Sequence, residues 1–514
     1  MLALVNGLVL TMDPRRPRAS AVLVDGSAIT YVGDEPPVPP GAEVVDLRGR
    51  VVLPGINDSH LHACGYGLSR PPYCLDVALG SIAAIRDLVH QHVRQAPPGT
   101  WIRGIGWNPG YLAEQRMPEA ADLDAVAPDH PVLLQDFSGH ATWVNTRVLE
   151  AAGLGGDGVL HHGDQGRVQR LIPPPPGGLK AVIRDVVAEL NRLGITSFTE
   201  PGLGPGGGEA FAGGMGSSAL DAYRELAGEL TARVNVLGLP SPMSGASVAD
   251  TLAWLADRPA LGGADPRRLR LAGVKVFADG IPPSETARMH QPYPSGGHGA
   301  LCTRGDSDAE RVAELDEILT LVHAAGLQAG VHVVGSRGID AVVTALAGLE
   351  PRQDARHYVI HGQFAGQQAL ATLGGLGYGI NLQPVLQRVE SGTTKALFGA
   401  EAAEAEWPAR SALAAGVATA CSSDAPVTSP DWRPGLAALV ARAGEGITVA
   451  EAVHAYTAAG AWQDFAETWK GTITPGKVAD LCVSGATRPE ELPDAPVELT
   501  VFDGQVVWSH TMTG

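Results

Sequence analysis

Val51-Val52-Leu53-Pro54-Gly55-Ile56-Asn57-Asp58-Ser59-His60-Leu61-His62 is an apolar run that ends in two histidines one residue apart. On an extended strand side chains repeat every second residue, so His60 and His62 face the same way and can grip one metal ion together. Alone the pair is weak, because two histidines at this spacing are more often solvated or hydrogen-bonded than ligands. Its reading turns on whether ligand-type residues also end other strands.

Seven further β-rich apolar runs follow, at residues 131–140, 195–200, 271–279, 327–334, 357–363, 377–384 and 416–424. Between them, Ser81 to Val93, Leu179 to Leu193, Asp308 to Ala325 and Ile339 to Leu349 carry apolar residues at the three- and four-residue spacing of helices. With 51–62 as the first, eight strand–helix units predict an α/β chain folded as a (β/α)8 TIM-type barrel. Two stretches, 63–130 and 201–270, exceed ordinary connections and read as insertions that shape an active site. Pro173 to Gly178 is a stiff connector. Gly202 to Gly216 is glycine-dense but lacks the Gly-Lys-Ser/Thr of a phosphate-binding loop, so it reads as a mobile loop.

Short β-type runs also occupy both ends: Leu2 to Thr11, Ala21 to Val24, Ile29 to Val32 and Val44 to Val52, then residues 479–483, 499–502 and 506–508. The two terminal pieces are expected to pair into one sheet.

A chain of 514 residues with 45% hydrophobic and 18% charged residues, 65 Gly and 39 Pro suits a large barrel plus a smaller domain. The net charge of −18, without a basic cluster, argues against nucleic acid and anionic membrane as partners. The first residues lack the pattern of a secretion signal, and no run of about 18 apolar residues occurs, so a cytoplasmic location is expected. Five scattered cysteines without a Cys-x-x-Cys indicate neither a disulfide framework nor a thiolate zinc site.

Other strand ends supply the missing ligand types. Lys275 stands inside the apolar run Val274-Lys275-Val276-Phe277-Ala278-Asp279, where a charged ammonium needs a partner. A desolvated lysine loses its proton more easily and can react with carbon dioxide to give a bridging carbamate. His332 ends the fifth run, His361 the sixth and Asp424 the eighth, the face on which barrel enzymes keep their chemistry. Singly, the histidines could be hydrogen-bonded core residues and Asp424 a helix cap. Jointly the pattern is hard to produce by chance.

His60-x-His62, Lys275, His332, His361 and Asp424, in that order, resemble the amidohydrolase superfamily. Gly194-Ile195-Thr196-Ser197, Val274 to Gly280, Ser423 to Val427 and Pro475 to Leu481 are similar to its branch of YtcJ-like proteins and N-substituted formamide deformylases (amidohydrolase family 3). The resemblance implies a β-sandwich built from residues 1–54 and 470–514 around a barrel spanning 55–469. It also implies a metal-dependent hydrolase that cleaves a non-peptide C–N bond (amide, formamide or cyclic amide) with a metal-activated hydroxide. His60, His62 and Asp424 would hold one metal and His332 with His361 a second, bridged by carboxylated Lys275. Two zinc ions, or other divalent metals, fit these ligands. Asp424 would be the catalytic base and then acid. The sequence departs from the branch at Ile281 to Ala287 and Gly335-Ser336-Arg337, which leaves the substrate open.

Trp107, His140, Arg288, His298 and Arg337 are candidate substrate-binding residues, and Glu200 a candidate supporting carboxylate beside the ligands. The partner expected is a small amide-type molecule, with a homodimer as the base-rate assembly. A mononuclear deaminase of the same superfamily is the alternative enzyme; it would need a glutamate soon after His332, where Val333-Val334-Gly335-Ser336 has none. A non-catalytic metal-binding barrel is the alternative of another class.

Overall fold

The computed structural model describes all residues except 137–140, 162, 170, 209–213, 353 and 511–514. Two compact units divide the chain: Met1–Ala63 with Val186–Gly208 and Ala212–Gly514, and Cys64–Asp185 with Glu209–Phe211.

The first unit holds eight parallel strands that neighbour one another in chain order: Ile56–Asp58, Ile195–Gly208, Arg233–Gly238, Leu269–Phe277, Gln328–Val333, Tyr358–His361, Gly379–Leu382 and Ala418–Cys421. They form the expected (β/α)8 barrel. The first and eighth strands share no ladder; hydrogen bonds just beyond their ends join them instead. Asp424 N donates to His60 O and His62 N to Ala425 O, each at 2.9 Å. Ser59 Oγ donates to Cys421 O, also at 2.9 Å.

Eight strands were expected and eight occur, but not the same eight. Val132–Asp136, the described part of the run at 131–140, belongs to the sheet of the second unit. The third barrel strand is instead Arg233–Gly238, inside the stretch read as an insertion. Its starting residues, Arg233-Val234-Asn235, alternate polar with apolar and so weaken the buried-strand signal. The opening run also divides. Val51–Pro54 pairs with terminal strands, and the barrel strand starts only at Ile56, after Gly55. A side chain at residue 55 would collide with Thr196, its Cβ standing 2.1 Å from Thr196 Oγ1. His60 and His62 therefore lie past the strand end, not on the strand.

Helices occupy Gly178–Arg192, Asp308–Ala324 and Ser336–Ala347, close to where apolar spacing places them. Ser307 and Glu310 cap the second of these reciprocally.

Two sheets built from the termini form the sandwich. One runs Ala28–Gly33, Ala21–Asp25, Leu2–Val5, Glu43–Asp46; the other runs Gln505–Ser509, Val497–Phe502, Leu481–Ser484, Val51–Pro54, Leu8–Leu10, Arg18–Ala19. Leu4, Val22 and Ile29 from the first sheet share a buried core with Val52, Leu481 and Val501 from the second.

The second unit carries a five-stranded sheet ordered Val159–His161, Ala141–Val144, Val132–Asp136, Ile102–Trp107, Leu75–Asp76. Helix Ile82–Val93, capped by the Ser81 side chain, buries Ile82, Ile85 and Val89 in the core that holds Trp107 and Trp143. Among the described residues no helix is long and apolar enough to cross a membrane.

A buried carboxylate ties the first three barrel strands together. Asp464 is buried and accepts hydrogen bonds from Asn57 at 2.7 Å, Thr199 at 3.0 Å, Asn235 at 3.1 Å and Lys470 at 2.7 Å. Three of these donors come from the first three barrel strands. Asp464→Ala leaves the buried Lys470 ammonium without its counter-charge, and a loss of about 3–5 kcal/mol is expected in urea unfolding. Asp464→Leu with Lys470→Met should recover much of that loss; equal stability of the single variant and wild type would refute the assignment.

Candidate metal centre

The barrel gathers the predicted ligands at one place because their strands end there. Lys275 and Phe277 share a face of the fourth strand, with the Lys275 Nζ 4.8 Å from the Phe277 ring centre. His332 follows on the fifth strand and His361 closes the sixth. Asp424 comes three residues beyond the eighth strand, hydrogen-bonded across the barrel seam to the His60 backbone. All six side chains are buried.

His60 Nε2 and His62 Nε2 lie 3.2 and 3.4 Å from the same oxygen, Asp424 Oδ1. Ligand atoms of His60, His361 and Asp424 all fall within 4.8 Å of one another. His361 Nε2 stands 3.0 Å from His332 Nδ1. His361 and Asp424 both take left-handed backbone conformations, with φ of 69° and 57°. Non-glycine residues hold this region at a cost of about 1–3 kcal/mol each, and such strain clusters where surrounding structure fixes a functional geometry.

Electrostatics favour ligand forms. Burial, with the nearby Lys275 amine, drives the His60 imidazole well below its ordinary pKa. Burial and His361 do the same to His332, and burial brings His361 down to about 4. These rings are neutral at physiological pH, with lone pairs available. Burial works to raise Asp424, but hydrogen bonds from His60 and His62 outweigh it and hold the carboxylate ionised. Burial lowers Lys275 to about 7, although Asp424 pulls the other way. Among the described residues Lys275 has neither a hydrogen bond nor an ion pair, and the Nδ1 atoms of His60 and His62 have no hydrogen-bond partner. Buried neutral imidazoles and an ionised carboxylate converging beside an unpartnered amine are a donor set suited to a divalent metal.

A surrounding layer that the sequence did not reveal holds these groups. Gln383 Oε1 accepts from His361 Nδ1 at 2.7 Å, which leaves the Nε2 lone pair toward the centre. Its amide is pinned in turn, donating to Asn381 Oδ1 and Ser422 Oγ at 2.9 Å each. Asp58 accepts from Ser423 N at 3.1 Å, and burial raises it to about 7. Asp279 accepts from Arg288 N, Val334 N and Gly335 N at 2.9 Å each, tying the loops after the fourth and fifth strands together. For Gln383 the available signal was its position just past a β-type run with side chains at alternate residues, Asn381 and Gln383; for the others there was only the presence of Asp in an apolar stretch.

The four candidate substrate residues that are described make their contacts elsewhere. Trp107 is fully enclosed in the core of the second unit, its indole donating to Leu134 O at 2.8 Å. Arg288 and Arg337 both bind Asp308, at 2.7 and 2.9 Å, and so form an ion-paired brace. His298 Nδ1 lies 3.2 Å from Met289 O. His140 lies outside the described residues. Glu200 is on the second barrel strand rather than the third, fully buried, and accepts from Tyr223 Oη at 2.7 Å.

Known proteins match this architecture along nearly its whole length. The chain is 27% identical to an N-substituted formamide deformylase of Arthrobacter pascens over 99% of this chain and 98% of that one. It is 25% identical to YtcJ of Bacillus subtilis (strain 168) over 98% of this chain and 99% of that one. An uncharacterized metal-dependent hydrolase from Pyrococcus furiosus superposes with a TM-score of 0.74 at 23% identity, over 94% of this chain and 98% of that one. Residues 43–508 match the amidohydrolase family, so the chain belongs to that family and is an enzyme of its hydrolytic class.

Proposed function

We propose that this enzyme hydrolyses a non-peptide C–N bond of an amide, formamide or cyclic amide at a divalent metal centre held by His60, His62, His332, His361 and Asp424, with Lys275 as a carbamate bridging two ions. The observation that carries the reading is the buried convergence of neutral imidazoles, an ionised carboxylate and an unpartnered lysine at the carboxyl end of the barrel. Zinc, two ions per chain, suits nitrogen and oxygen donors. Bound there, a divalent ion supplies a Lewis acid that lowers the pKa of water and polarises a carbonyl oxygen.

The chain's own groups then manage protons. Asp424, ionised because two imidazoles hydrogen-bond it, takes the proton of the attacking water on its carboxylate. The same oxygen returns that proton to the departing amine nitrogen, which leaves as a neutral amine. Lys275 near its half-deprotonated point presents the free amine, the form that adds to carbon dioxide with loss of a proton. Gln383 keeps His361 in the tautomer whose Nε2 lone pair faces inward. The formamide deformylase among its relatives makes formamides a first substrate class to screen.

Asp424→Asn should lower turnover about 10²–10⁴-fold on any amide the wild type cleaves, since a general acid–base contributes about that much. Lys275→Ala should lower metal content measured by elemental analysis, from about two ions per chain to about one or none, together with activity; unchanged stoichiometry and turnover would sink the bridging role. Because the folded protein keeps His361 neutral down to about 4, below the ordinary imidazole value, metal should survive dialysis at about pH 6 and dissociate only as the pH falls through about 4. Loss already complete at about pH 6 would mean that protons compete as they do at exposed histidines.

A further inference from the structure

A cavity of about 260 Å³ opens at the amino-terminal end of the barrel, where the second, third and fourth strands begin, and none of the metal-centre residues lines it. Its wall is unusual for a chain of net charge −18: four cations, Arg233, Arg267, Arg270 and Lys470, face one carboxylate, Asp464. Two of the cations are neutralised within the protein. Arg233 binds Asp480 at 2.6 Å and Asp503 at 3.1 Å, and Lys470 binds Asp464 at 2.7 Å.

Arg267 and Arg270 are not. Among the described residues neither has a carboxylate within salt-bridge distance. Arg270 Nη1 donates to the Asp464 backbone carbonyl at 2.8 Å, and its guanidinium lies 4.6 Å from the Phe465 ring centre. Burial lowers its pKa, with Asp464 opposing. Arg267 lies over the Trp469 ring at 5.6 Å. A partly buried guanidinium with spare donors is costly unless an acceptor reaches it, and paired N–H groups suit a two-oxygen anion. Asn235, 5% exposed, also lines the cavity, its amide fixed by donation to Asp464 at 3.1 Å.

We propose that this cavity is a second ligand site, distinct from the metal centre, that binds a small molecule through a phosphate or carboxylate oxyanion held by Arg267 and Arg270. Trp469 forms an apolar wall beside the anion. The fixed cations next to the cavity are already paired, so an incoming anion meets two unneutralised charges rather than competing for occupied ones. The site does not depend on the hydrolytic reading.

The test is calorimetric titration of the full chain with inorganic phosphate, and separately with acetate, at ionic strength held constant with chloride. Saturable binding is expected for at least one anion, and the tighter of the two identifies the oxyanion. Arg267→Ala with Arg270→Gln should weaken it about tenfold. Should the double variant fail to fold, Arg267→Ala alone, at an exposed residue, should weaken it about threefold. Asp424→Asn should bind both anions as wild type does. The proposal falls if neither anion binds, if the arginine variants bind like wild type, or if binding disappears with Asp424→Asn, which would place the anion at the metal centre.

Discussion

Barrel closure is the constraint on which the rest of the structure depends. The first and eighth strands never pair through a ladder; the chain joins them just past their ends, with Asp424 N on His60 O and His62 N on Ala425 O. Ser59 and Cys421, hydrogen-bonded across this seam, are 362 residues apart in sequence. The same few residues that close the barrel carry His60, His62 and Asp424. Closure and assembly of the candidate ligand set are therefore one event, and a shift of either strand by one residue would break the seam and turn these side chains away together. Asp58, accepting from Ser423 N, adds a further tie at this place.

The barrel ends are built on opposite electrostatic logic. At the carboxyl end, groups are buried without full satisfaction: among the described residues Lys275 has no hydrogen bond or ion pair, the Nδ1 atoms of His60 and His62 have no hydrogen-bond partner, and His361 and Asp424 hold strained backbone. At the amino end, Asp464 is satisfied by four donors and Arg233 by two carboxylates. Buried charges that are fully paired rigidify a structure, whereas those left open are poised for a ligand. The contrast makes the carboxyl end the candidate site, and among the described residues it sets apart Arg267 and Arg270 as cations without a carboxylate partner beside a paired network.

Much of this was legible from residue spacing, and the failures have physical causes. The candidate ligands stood out because each interrupts an apolar run at a strand end, where a polar side chain needs a reason. The number of barrel strands matches the number of apolar runs only because two differences cancel. Val132–Asp136 has the apolar composition of a barrel strand but serves another sheet, and nothing local distinguishes one buried parallel strand from another. Arg233–Gly238 was hidden because its Arg233 and Asn235 reach polar partners, Asp480 and Asp464, that are remote in sequence. Two of the substrate candidates show a related limit. Arg288 and Arg337 carry the same side chain whether they bind a ligand or Asp308, and only the fold reveals the carboxylate. Gln383, which orients His361, has no composition signal at all.

The sandwich gives the chain an order of completion. Val51–Pro54 lies between Leu8–Leu10 and Leu481–Ser484, so one edge of an early strand stays unpaired until the last tenth or so of the residues has been synthesised. Unpaired strand edges invite pairing with other chains. During translation the nascent protein must carry that open edge through production of the entire barrel. The later Leu481–Ser484 arrives, the longer that edge stays open to pairing with a second copy of the chain.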